Sequence, residues 1–184
     1  MFGGVALVGG SAIWTACADH RGVGKYDSVG VFGGPDVALL DAIADTILPE
    51  TEKSPGAKAA KTGAFMALMV TDCYEPKEQE IFRAGLVKLD EECKRTNGAS
   101  FVEATPAQRL TLLEGIDKAT KDYMDNKKSE EPTHYFRMMK ELAMLGFFTS
   151  EIGYTKAMRY TEAPGRFDPC VPLAPGDTLW GSHA

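Results

Sequence analysis

The chain has 184 residues with 26 Asp and Glu against 20 Lys and Arg, a formal net charge of -6. That length suits one domain of ordinary size with a substantial core and makes a second domain unlikely to fit. An acidic balance with no clustered basic stretch argues against DNA and RNA as partners, because binding to a phosphate backbone needs a basic surface.

Residues 1–17 form the first segment. After the methionine it reads FGGVALVGGSAIWTA, uncharged and rich in small residues, too short for a comfortable membrane span and similar to the core of a signal peptide. The plainer alternative is a flexible or partner-bound N-terminus. No positively charged region precedes the run, so the true start is expected upstream of Met1. Trp14-Thr15-Ala16-Cys17 has the form of a lipoprotein cleavage box with Trp14 where Leu is usual. Two outcomes stand side by side there, lipidation of Cys17 or ordinary cleavage nearby. Residues 18–35 are glycine-rich and aperiodic, which predicts a tether.

From residue 36 to 184 the text reads as one helical domain. Pro35-Asp36 opens a helix with proline in the first turn and a carboxylate at the positive end of the dipole. Val37, Leu40, Ile43, Ala44, Ile47 and Leu48 follow at helical spacing until Pro49 stops the run. Ser54-Pro55-Gly56 is a turn, and Ala57 to Asp72 is expected to be a second helix in which Phe65, Met66 and Met69 fill core space. Glu75-Pro76 starts a third, with the stripe Phe82, Leu86, Leu89 and Cys93 and a stop at Asn97-Gly98. Thr105-Pro106-Ala107-Gln108 has capping-box spacing for a fourth, continued by Leu110, Leu113, Ile116 and Tyr123 and broken over Lys127 to Glu131.

The densest apolar block follows. From Tyr135 to Phe148 apolar residues cover nearly the whole circumference of a helix and leave Arg137, Lys140 and Glu141 as a narrow polar strip, the pattern of a helix inside a core or under a partner. Tyr154 to Tyr160 is a short helical piece. Beyond Ala163-Pro164-Gly165 the prolines at 169, 172 and 175 forbid a helix, so the chain is expected to end in an extended, Pro-rich arm. Phe167, Val171, Leu173, Leu179 and Trp180 of that arm are apolar and cannot be buried locally. They are candidate partner-binding residues, with Trp180 as an aromatic anchor. No alternating run predicts a strand, and the predicted fold is an all-α single-domain helical bundle with that C-terminal arm.

No constellation for catalysis or metal binding is legible. His20, His134 and His183 lack partners at ligand spacing, and CxxC, CxxCH, HExxH and GxSxG are absent. His134 reads as an exposed residue at a helix start. The glycines between 22 and 34 lack the strand and crossover helix of a dinucleotide fingerprint. Glu50, Glu52, Glu91, Glu92, Glu130 and Glu131 fall at helix ends or in polar runs, where solvation accounts for them. Among the four cysteines, Cys73 and Cys93 lie too far apart along one helix, about 25 Å at 1.5 Å per residue, to be bonded directly. Cys170 is the candidate disulfide partner, for Cys93, Cys73 or another subunit, and a free thiol is the alternative.

The segments LDAIADTILPET, SPGAKAA, KELAMLGFFTSEIGYTKAMRY and APGRFDPCVPL, in that order, resemble the gluconate 2-dehydrogenase subunit 3 family, the small subunits of membrane-bound flavin dehydrogenases, from about Asp36 to the C-terminus. The resemblance implies a non-catalytic accessory subunit with no cofactor of its own. In such complexes a large flavoprotein of the glucose-methanol-choline type holds FAD, and a multihaem cytochrome c subunit commonly holds haem c. The complexes oxidise sugars, sugar acids or polyols. The small subunit is expected to serve export, maturation and stabilisation of the large one, in a periplasmic, membrane-associated setting reached by Tat export. The twin arginine of that route does not occur in this sequence. A reading from another class is a free-standing, lipid-anchored periplasmic protein that binds a small molecule between its helices.

Overall fold

The computed structural model describes residues 26–163, 165–166 and 170–181. Six α-helices run in chain order: α1 (Gly34–Ile47), α2 (Gly56–Ala59), α3 (Thr62–Cys73), α4 (Pro76–Asn97), α5 (Pro106–Asn126) and α6 (Tyr135–Phe148), followed by a π-turn at Gly153–Ala157. No sheet forms among the described residues, where only isolated bridges occur, so the all-α expectation holds. Starts and stops follow local chemistry. Pro35, Pro76 and Pro106 sit in first turns, Gln108 and Thr105 cap each other, and Gly98 ends α4 in the left-handed region at φ 73°.

The core lies where α1, α3, α4 and α6 meet. Leu40, Ile43, Met66, Val70, Phe82, Leu89, Cys93 and Met139 have no exposed surface, which places the predicted α4 stripe and Cys93 inside. Close approach is set by glycines. A Cβ on Gly85 of α4 would lie 2.2 Å from the Tyr135 ring of α6, and one on Gly63 of α3 would lie 2.5 Å from the Asp41 backbone nitrogen of α1. Any larger residue at either position forces two helices apart.

Three expectations are revised. The single helix expected over 57–72 is two, broken where Lys61 takes a left-handed φ of 53°. The break is held from outside the segment: the Asp41 carboxylate, 4% exposed, accepts from Gly63 N at 2.7 Å and starts α3 afresh, while the buried Thr62 hydroxyl donates to Ala57 O at 2.8 Å. A carboxylate at a helix N-terminus satisfies an otherwise orphaned N–H and complements the dipole. Its second oxygen accepts the Tyr26 hydroxyl at 3.0 Å, and burial, followed by this hydrogen bond to a carboxylate, pushes the Tyr26 pKa up to about 12.

The tether expected over 18–35 is therefore packed from Tyr26 onward. A tight turn pairs Val29 with Phe32 and sends the Phe32 ring into the core, 6.0 Å from Phe82 and edge-on to it. On α5 the expected stripe is only half buried: Leu113 is inside, whereas Leu110 and Tyr123 face solvent, because α5 lies against the rest of the bundle along a narrower line than its sequence period suggests.

Replacing Asp41 by Ala leaves the Gly63 N–H buried without an acceptor and is expected to cost about 2–3 kcal/mol in urea denaturation. Gly63→Ala is expected to cost about 1–3 kcal/mol through overpacking against α1. Asp41→Asn, which keeps an acceptor, should fall well below both.

Candidate functional site

Two regions have side chains that the fold positions without using. The first begins on the outer stripe of α6. Arg137 and Glu141 form an i,i+4 ion pair at 2.6 Å and Lys140 bonds Asp117 of α5 at 2.8 Å, as the predicted polar strip requires. Continued by helical steps of three and four, the same side carries Met144, Leu145 and Phe148, all exposed. The outer face of α6 thus changes from charged at its start to bare apolar surface at its end, while the opposite face stays buried through Phe147.

After the π-turn the arm leaves and comes back. Arg159 N donates to Leu179 O and Gly181 N to Arg159 O, both at 2.8 Å. The Arg159 guanidinium lies 5.6 Å from the Trp180 ring centre and 3.4 Å from an Asp177 carboxylate oxygen. Ala174-Pro175-Gly176-Asp177 makes the return turn, with Gly176 at φ 87° and Asp177 N bonded to Ala174 O at 3.0 Å. Lys53 donates to Gly176 O at 3.1 Å, tying the turn to the loop before α2. The arm is extended as expected, and its end returns to its own base at Arg159.

On this loop the candidate residues are outward-facing: Val171 is 51% exposed, Leu173 60%, Leu179 60% and Trp180 46%. Phe167 and the Cys17 lipidation site lie outside the described residues. Cys170 is an exposed free thiol, Cys73 is likewise exposed and free, and Cys93 is free and buried. Among the described residues no group of three or more His, Cys, Asp and Glu could hold a metal ion, and no helix is long and apolar enough to cross a membrane.

The second region is a cleft of about 580 Å³ between α4 and α5, closed at one end by His134 and Tyr135. His134 is not simply exposed. It is the N-cap of α6: Nδ1 accepts from Phe136 N at 3.2 Å and lies 2.9 Å from the Thr120 hydroxyl, while its ring stacks 4.4 Å from that of Tyr135. Burial, and then the charge of Lys88, hold its pKa below the ordinary histidine value. Burial raises the Tyr135 phenol, with Glu92 adding to it. Sequence reasoning missed the cleft because Lys88, Gly115 and His134 are far apart in the chain. The nearest local signal was the run of small residues Ala107, Thr111, Gly115 and Ala119 along one side of α5.

Residues 35–165 match the family described as Gluconate 2-dehydrogenase subunit 3. Arg166 onward, which the sequence resemblance included, lies beyond the matched region. No curated protein and no solved structure matches the chain.

Protonating His134 at Nδ1 turns the capping acceptor into a donor. Because its folded pKa is lowered, the cap contributes fully above the unfolded value of about 6.5 and is lost as pH falls through the folded value. Thermal melts should therefore show a loss of at most about 1 kcal/mol on acidification from pH 7.5 toward 5, limited by the partial exposure of the ring. His134→Asn, a cap that does not titrate, should lack that component.

Proposed function

The chain belongs to the Gluconate 2-dehydrogenase subunit 3 family and is an accessory subunit of a dehydrogenase complex, and we propose that its partner is a large FAD-containing subunit which it helps to export, mature and stabilise. The observation that carries this reading is the family match over most of the helical domain. In it, the flavin of the large subunit and the haem c of a cytochrome subunit perform the oxidation of a sugar, sugar acid or polyol, in a periplasmic, membrane-associated complex. This chain supplies surface.

The unpaired end of α6 and the closed arm support a docking role on physical grounds. Met144, Leu145 and Phe148 follow directly on an ion-paired stretch of the same helix face, so the change from charged to apolar is abrupt where none of the described residues covers it. The arm is already folded by the Arg159 clasp, and a loop held in shape loses less entropy on docking than a free strand. Exposed aromatic and aliphatic residues on such a loop are the kind that dominate interface energies.

Expressed with its large subunit, a Val171→Ser/Leu173→Ser/Leu179→Ser variant should stay close to the melting temperature of the native chain, since each of these residues is more than half exposed. Recovery of the large subunit by affinity pull-down should drop at least about tenfold if these residues contribute as interface anchors. Undiminished recovery would remove the arm from the interface. Purified alone, the chain should show no flavin or haem absorbance and no sugar oxidation with an artificial electron acceptor. Deleting residues 1–25, which leaves Tyr26 and Phe32 in place, should strand both this chain and the large subunit in the cytoplasm in a fractionation experiment.

A further inference from the structure

Three residues lining the α4–α5 cleft, Lys88, His134 and Tyr135, each carry a hydrogen donor without a hydrogen-bond partner among the described residues. Lys88 Nζ stands 5.9 Å from the centre of the Tyr135 ring, and that ring lies 4.4 Å from the His134 ring. Because His134 Nδ1 receives the Phe136 N–H, the neutral imidazole carries its hydrogen on Nε2 and is a donor there. Lys88 has no ion pair, and the Tyr135 hydroxyl is the third donor. Three of the other polar groups at the cleft are engaged: Glu92 is bonded twice by Arg95, at 2.5 and 3.3 Å, Gln108 caps α5 through Thr105, and Asn97 turns to the Cys93 sulfur at 3.5 Å. Lys88 is therefore the one cleft charge without a compensating partner among the described residues.

The rest of the cleft has a different character. Away from His134, the α5 side is lined by Ile116, Gly115, Leu112, Thr111 and Ala107, and the small residues at every fourth position keep that wall low for about 18 Å. Gly115 has no atom within 4 Å of where a Cβ would stand, so the groove there is open space. A mostly apolar cleft of this size with a few convergent polar groups at one end is the usual form of a small-molecule site.

We propose that this cleft binds a small amphipathic carboxylate. Its head accepts hydrogen bonds from Lys88, His134 and Tyr135, and its hydrocarbon body lies along Ile116, Gly115 and Leu112 toward Ala107. An end with three donors, one of them a positive charge without an ion pair, and with its carboxylate Glu92 already held by Arg95, selects an anionic, acceptor-rich head, and the apolar walls reject a polyhydroxylated body. The site is independent of the docking surface on α6 and the arm, so it holds or fails separately from the subunit's place in a complex.

The test is calorimetric titration of the full chain with octanoate, octan-1-ol and gluconate. Octanoate is expected to bind saturably at millimolar concentration or below, with octan-1-ol and gluconate at least about tenfold weaker. Lys88→Gln should weaken octanoate about tenfold and leave octan-1-ol unchanged. Gly115→Leu enters the groove from a position where a Cβ meets no atom within 4 Å, so the variant should melt no lower than the native chain, with the gain expected of replacing a mid-helix glycine, and no longer bind octanoate. The proposal is overturned if octanoate shows no saturable binding up to about 5 mM, if either control ligand binds as well, or if the folded Gly115→Leu chain binds as before.

Discussion

The Asp41 carboxylate links three parts of the chain, the segment ahead of α1, α1 itself and the start of α3. One oxygen holds the start of α3 and the other holds Tyr26, from the segment ahead of α1. Removing a carboxylate from water is costly, and it is offset here by two hydrogen bonds and by the N-terminal dipole of α3. The contact also explains why α2 and α3 are separate, since a helix continuing through Lys61 would carry the Gly63 N–H into its own ladder and leave Asp41 Oδ1 buried without a donor. With α3 fixed against α1 through Gly63, α6 has a floor to pack on, and the core closes around Met66, Met139 and Phe82.

Packing is uneven around this centre. The contacts of α1, α3, α4 and α6 use large apolar residues and glycine close approaches, whereas α5 contributes one fully inserted leucine, Leu113, and a buried hydroxyl, Thr120. Its small residues face α4 across a gap. The same feature that makes α5 the least anchored helix therefore creates the cleft, and the His134 cap, which reaches the Thr120 hydroxyl, joins the His134–Tyr135 end of that cleft to the start of the most deeply packed helix. Occupancy of the cleft and the order of the α6 N-terminus are thereby physically connected.

At its other end α6 serves a different purpose. Its outer face is ion-paired over one turn and bare apolar surface over the next, and the chain then turns back through the π-turn into the clasped arm. A bare stretch of that kind is a liability for a solitary protein and an asset for a subunit. The Arg159 contacts with Leu179, Trp180 and Asp177 convert what composition describes as a loose proline-rich tail into a loop with both ends fixed, so its apolar residues are presented together.

The sequence by itself determined the helical class, most of the helix boundaries, the buried face of α4 with Cys93, and the family, because each is written in spacing or local chemistry: proline in first turns, glycine after last ones, apolar period, and ordered motifs. The resemblance also covered the accessory role, which no arrangement of side chains in this chain states on its own. What tertiary structure alone decided involves partners distant in the chain. Asp41 looks like any helical carboxylate until Gly63 and Tyr26 arrive at it, and the segment around Phe32 looks like a tether until the ring finds Phe82. His134 looks solvent-facing until Thr120, Lys88 and Tyr135 gather around it, and the arm looks open-ended until Arg159 meets Trp180. Periodicity reports which face of an element is apolar, but not which other element will cover it, and the proposed docking surface and ligand cleft are the places where that covering is incomplete.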